Sequence, residues 1–290
     1  MRIDAHHHLW DLNAVHYPWL MEPGAARFFG DPTAIQRDYL VDEFRRDAQA
    51  QGISASVHIQ VGAADGLAEA RWVQSVADAN PGFPAAQVAY CDLTADDLPE
   101  QLGRLQALPT VRGVRQIVGR APGEDARTGT NALLQDPRFL EGLREVGRRG
   151  LSFDLQLIPD LMPGAVRVLS DAPDTPVALC HAGSPHDRSA DGLRDWATRI
   201  KTLSALPHVT CKLSGLGMFE HGWSAKSVAP IVEICLEQFG PDRCMWGSNF
   251  PVDSLYANYA TTFQRHWSLV PDDMQNAVFG GTAARFYGLT

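Results

Sequence analysis

Eight short runs rich in β-branched or other apolar residues recur along this 290-residue chain, at residues 3–9, 55–61, 87–91, 113–118, 151–158, 176–182, 209–214 and 244–250. The segments between them are long enough for a crossover helix, and only such crossovers join strands in parallel. The chain is therefore predicted to fold as an α/β (β/α)8 TIM barrel, a single domain over residues 1–290, somewhat above the usual length of about 250. Two intervening helices are legible by their stops. Leu67, Ala70, Val73, Gln74 and Ala77 keep a helical period until Asn80-Pro81-Gly82, and residues 228–239 end at Gly240-Pro241. No internal repeat, low-complexity tract or linker interrupts the pattern.

Composition narrows the partners. A net charge of −9 without a compensating basic stripe argues against nucleic acid, and no apolar run approaches the roughly 20 residues of a membrane helix. The chain enters its first strand directly after Met1 with no secretory apolar segment, and its five cysteines are scattered and odd in number without a CxxC pair. A cytoplasmic protein acting on a small molecule is expected; a homo-oligomer stays open.

The chemistry concentrates at strand ends. In Asp4-Ala5-His6-His7-His8, alternation along a strand puts His6 and His8 on one face and His7 on the other. His181 ends the sixth run, where barrel enzymes carry catalytic groups. Three neutral imidazoles there would hold one divalent metal, zinc before others, with an open position for water. Catalysis without a metal also stays open. Arg115 is a candidate holder of a carboxylate or carbonyl oxygen. Lys212 shares its strand with Cys211 and Leu213, and is functional if it faces the barrel, because an unpaired buried ammonium is costly. Gln60 and His58 are further candidates, and the tryptophan faces of Trp10 and Trp246 suit a sugar ring. Residues 16–33, with Tyr17, Trp19, Phe28 and Phe29, read either as a surface loop packed by its own aromatics or as a lid over the barrel mouth, and residues 119–129 as a loop of the catalytic face.

Five motifs, taken in order, carry a resemblance: Asp4-Ala5-His6-His7-His8-Leu9-Trp10-Asp11, Val111-Arg112-Gly113-Val114-Arg115-Gln116, Leu179-Cys180-His181-Ala182-Gly183, Lys212-Leu213-Ser214-Gly215 and Met245-Trp246-Gly247-Ser248-Asn249-Phe250-Pro251. Across essentially its whole length the chain resembles the amidohydrolase-related family, in the subgroup of L-fuconolactonases, L-rhamnonolactonases and pyrone-dicarboxylate lactonases. The resemblance implies that His6 and His8 are the first-strand pair and His181 the sixth-strand histidine. Gln156 stands where many members carry a fifth-strand histidine, and Arg115 and Gln116 where a bridging carboxylate or lysine is common, so a binuclear centre is not expected. Asn249 replaces the eighth-strand aspartate; an amide takes no proton at neutral pH, so it orients water or a carbonyl and is no general base. Asp253 is the candidate substitute, or else caps its loop.

The expected activity is hydrolysis of a small lactone, either of a sugar acid or of a dicarboxylate, by water attacking the ring carbonyl. A nonoxidative decarboxylase or hydratase, or a noncatalytic barrel that binds a sugar acid, are the alternatives.

Overall fold

The computed structural model describes residues 1–22, 24, 27–122 and 124–289, so the parts of the two predicted mouth loops at residues 23, 25, 26 and 123 lie outside the described residues. Eight strands form one sheet in sequence order, every neighbouring pair parallel: β1 (Arg2–His7), β2 (Ile53–Ile59), β3 (Ala86–Tyr90), β4 (Val111–Arg115), β5 (Ser152–Leu155), β6 (Val177–Leu179), β7 (Val209–Leu213) and β8 (Cys244–Trp246). Backbone bonds from Asn249 N to His6 O and from His8 N to Phe250 O, both 2.7 Å, join the first strand to the chain beyond the last. The result is the (β/α)8 barrel that the eight runs predict, each run overlapping one strand.

A principal helix follows each strand: α1 (Val41–Gln49), α2 (Gly66–Ala79), α3 (Leu98–Gln106), α4 (Pro137–Arg148), α5 (Met162–Ser170), α6 (Ala190–Ser204), α7 (Ala225–Phe239) and α8 (Tyr259–Leu269). Local chemistry sets their ends. Asp65 caps α2 by accepting from Leu67 N and Ala68 N, while Ser224 and Ser227 form a reciprocal capping box on α7, which stops at Gly240. The larger apolar core lies between strands and helices; a second fills the barrel itself with Ile3, Ala5, Ala55, Val57, Ile59, Ala86, Val88, Ala178 and Met245. Tyr287 of a short C-terminal helix (Thr282–Tyr287) joins this inner cluster. The turn just before that helix, Ala277–Gly281, packs on the start of β1, where a Cβ on Gly280 would meet the Met1 carbonyl oxygen at 2.1 Å.

One irregularity decides the site. Ile3 pairs with Ala55 and Asp4 with Ser56, but His7 pairs with His58, so β1 spends one residue more than β2 between these points. Without this bulge, the alternation that puts Ile3 and Ala5 inside the barrel would also turn His7 inward and His6 and His8 outward. With it, His7 stacks on Phe44 of α1 at 3.8 Å between ring centroids, and His6 and His8 turn to the barrel mouth.

Candidate active site at the barrel mouth

Beyond the C-terminal ends of the strands lies a cavity of about 390 Å3. His8, Arg115, Gln156, His181 and Asn249 line its polar side, and Trp19, Phe28, Phe29, Ile117, Met218 and Val252 its apolar side. His6 lies behind this surface, its ring centroid 4.6 Å from that of His181 and 5.2 Å from that of His8. The three histidines therefore do converge. A Cβ on Gly247 would stand 2.5 Å from the His6 Cβ, and one on Gly215 2.5 Å from His181 Nδ1, so these two positions admit no larger side chain while the histidines stay in place.

The strand ends hold the side chains by unusual backbone. His181, Ala182 and Ser184 follow β6 in left-handed conformation, with φ of 55°, 51° and 53°, and Asn249 follows β8 at 57°. Such residues cost of order 1–3 kcal/mol each and gather where function imposes them. His181 Nδ1 lies 3.0 Å from Ser214 Oγ. His8 Nδ1 lies 2.8 Å from the Ile59 carbonyl oxygen, which only accepts, so Nδ1 carries the proton and Nε2 a bare lone pair. That lone pair faces Asn249 Oδ1 at 3.3 Å, while the amide nitrogen donates to Asp253 Oδ1 at 2.8 Å. Two acceptors thus face one another, a pairing that a cation or the protons of a water satisfy. Burial pushes Asp253 up to about 7.

Several candidates fall elsewhere. Trp10 is fully buried and donates to the Arg37 carbonyl at 2.6 Å, with Trp19 packed edge-on to it; it supports the cavity wall without reaching it. Tyr17 is buried beside Glu69, and Trp246 packs between β8 and its helices. Trp19, Phe28 and Phe29 do line the cavity, so the described part of residues 16–33 covers the mouth. Gln60 accepts from Gly62 N at 2.7 Å and lines an adjoining cavity, and His58 turns outward towards His7. Asp253 stays behind Asn249, off the cavity surface. Lys212 faces the barrel, but not unpaired: its Nζ lies 2.5 Å from Asp154 Oδ2, both side chains fully buried. The condition that would have made it functional by necessity is removed.

Sequence reasoning missed Asp154, although it lies two residues before Gln156 and so on the same strand face. It also missed Arg27, Arg120 and Glu124, which reach the cavity from loops where no periodicity marks them.

The family model described as Amidohydrolase matches residues 3–289. The chain belongs to the amidohydrolase family. An L-fucono-1,5-lactonase from Burkholderia multivorans is 31% identical, with 100% of this chain and 96% of that protein covered. An uncharacterised protein from Sinorhizobium fredii is 36% identical over 98% of this chain and 97% of its own length. The crystal structure of a Burkholderia multivorans amidohydrolase with bound zinc superposes with a TM-score of 0.85 at 27% identity, covering 100% of both chains.

The donor chemistry of this amidohydrolase, buried neutral imidazoles with free ring nitrogens, suits a divalent metal. Both ring nitrogens of His6 are buried without a hydrogen-bond partner, and burial holds His6 and His8 well below the usual imidazole range and His181 at about 3. All three are neutral at pH 7, as metal ligation requires. Ligand atoms of His6, Asp154 and Cys180 also lie within 4.8 Å of one another, a span that the three histidines together do not meet. Asp154, however, is already engaged by Lys212 and by the Tyr287 hydroxyl at 3.0 Å, which leaves the histidines as the freer donors.

Burial of so many titratable groups makes stability depend on pH from both sides. His6, His7, His8, His58, His181 and His266 are all lowered by burial, so the stability they carry is complete above the unfolded value near 6.5 and is lost as pH falls through it towards their folded values. Asp4, Asp253 and Glu69 are raised by burial to about 6, 7 and 8; their contribution is complete below about pH 4 and is lost as pH rises through those values. The histidines outnumber the carboxyls. With chelator present, so that metal release does not contribute, the urea midpoint is expected to peak near neutrality, fall steeply between about pH 6.5 and 5, and fall gently above about 7. A midpoint flat from pH 7 to 5 would contradict a neutral histidine cluster.

Proposed function

We propose that this amidohydrolase opens a small lactone: water adds to the ring carbonyl carbon, the ring C–O bond breaks, and the proton lost by the water ends on the departing ring oxygen. The observation that carries the reading is that His8, His181, Asn249, Arg115 and Gln156, at or just beyond the C-terminal ends of five different strands, line one cavity whose other side is aromatic and aliphatic. An ester ring needs that combination of an apolar wall and converging polar groups. The lactonase named among the relatives, which matches along the full chain, supports the reading.

His6, His8 and His181 would hold a divalent metal, zinc before others, which when bound polarises a carbonyl and acidifies water. The remaining groups position and stabilise. Asn249, its nitrogen tied to Asp253, presents Oδ1 beside His8 and orients the attacking water. Asp253 is a positioning residue, separated from the reacting atoms by that amide. Arg115 donates to Gln156 Oε1 at 3.1 Å and to the Gln60 carbonyl, which fixes its plane while Nε remains without a partner. A fixed cation of this kind stabilises charge developing on the carbonyl oxygen without reorganising.

The test is hydrolysis of a panel of aldonolactones by wild type and Asn249→Asp, each with and without exhaustive chelation. Wild type is expected to be active, to lose activity on chelation and to regain it with zinc. Asn249→Asp keeps a residue tolerant of left-handed backbone and is expected to change the rate by no more than about tenfold. An inert wild type that the aspartate switches on would identify a barrel that has lost its base, and activity untouched by chelation would remove the metal from the mechanism.

A further inference from the structure

The chain carries a net charge of −9, yet the charged side chains lining the central cavity are Arg27, Arg115 and Arg120 against Glu124 alone. Glu124 is spent within the cavity wall: its Oε1 accepts from Arg120 Nε at 2.5 Å, and its Oε2 from the Arg120 backbone N–H at 3.0 Å. Arg27 and Arg115 have no such counter-ion, since among the described residues neither forms an ion pair within 4.0 Å and the Nε of each is buried without a partner. Arg115 is only 4% exposed. Arg27 is held over the Trp19 ring at 5.1 Å, its charge disfavoured by burial and by Arg120 and favoured by the more distant carboxylates of Glu124 and Glu22.

A buried or half-buried guanidinium without an anion is a cost that folding alone does not offset. Hydrolysis of a neutral lactone employs one such group, at the ring carbonyl, and Arg115 beside His181 and Gln156 is placed for it. That leaves Arg27 unexplained, beside an Arg120 that only Glu124 neutralises. We propose that the substrate is an anionic lactone, carrying a carboxylate in addition to its ring ester, and that Arg27 together with Arg120 binds this second group. The inference rests on the lactonase reading and goes one step further: the product is a dicarboxylate. Trp19, Phe28 and Phe29 supply the apolar surface against the ring, and repulsion between Arg27 and Arg120 is relieved when one carboxylate bridges them.

The experiment uses matched pairs that differ only in the group at issue, aldono-1,4-lactones against aldaro-1,4-lactones of glucose, galactose and mannose configuration, where a terminal CH2OH is exchanged for a carboxylate. Wild type is expected to favour the aldarolactone in at least one pair by on the order of tenfold or more in kcat/KM, with the preference shrinking as salt rises. Arg27→Gln is expected to lower kcat/KM for that aldarolactone by on the order of tenfold to a hundredfold, Arg27→Lys by less, and Glu124→Gln, which frees Arg120, is expected to lower its KM. Calorimetric binding of the open-chain aldarates and aldonates separates this inference from the activity it builds on. If no lactone is turned over but an aldarate binds more tightly than its aldonate and loses the difference in Arg27→Gln, the lactonase reading fails and the anion site stands. Equal handling of both members of every pair, or binding of neither member of any pair, overturns the anion site.

Discussion

His181→Asn is expected to reduce lactone hydrolysis by on the order of a thousandfold while leaving the barrel folded. His181 sits at φ 55° in the left-handed run after β6, a conformation that asparagine tolerates better than alanine, and the amide keeps a polar partner for Ser214 Oγ. What is lost is the imidazole, the side chain that both lines the cavity and packs its ring 4.6 Å from that of His6. Turnover on the aldonolactone panel, a thermal melt and the zinc content of the purified protein together give the answer. Lost turnover and reduced zinc with an unchanged melt would assign His181 to the metal; lost turnover with zinc retained would assign it to substrate or proton handling. Wild-type turnover in the variant would place the chemistry away from the histidines.

The fold was legible because its signal is local. Apolar runs of strand length, caps such as Asp65 and stops such as Gly240 are each written in a few adjacent residues, and their alternation leaves few architectures. The histidines were legible as a pair but not as an orientation. Alternation puts His6 and His8 on a common face, yet which face depends on a bulge visible only in the pairing of β1 with β2. Trp10 and Trp19 show the same limit: nine residues apart and chemically alike, one is sealed behind the wall and the other forms it, because the loop folds Trp19 over the mouth with its indole nitrogen donating to the Val61 carbonyl. Arg27, Arg120 and Glu124 left no trace in any pattern, since a loop has no period to break.

Lys212→Met is expected to destabilise the protein by about 3–5 kcal/mol, although it exchanges a charged side chain for an apolar one inside an apolar barrel. The sequence presents Lys212 as a functional candidate, whereas its surroundings describe an ion pair enclosed on all sides. The Nζ–Oδ2 contact to Asp154 is 2.5 Å, the Tyr287 hydroxyl donates to Asp154 Oδ1 at 3.0 Å, and Cys180 Sγ lies 3.8 Å from Oδ2. Removing the ammonium strands a carboxylate where no water reaches it, and Asp154→Asn strands the ammonium in turn; each single change should lower the urea midpoint strongly. Removing the whole polar group at once, as Lys212→Met with Asp154→Leu and Tyr287→Phe, leaves no buried charge and is expected to recover most of the loss. Because Lys212 also helps to keep His6 neutral, the triple variant reports on function as well: restored stability with unimpaired turnover would make the pair a packing device, and restored stability with lost turnover would show that its field sets the state of His6. Single variants as stable as wild type would mean that the buried pair does not exist as an ion pair.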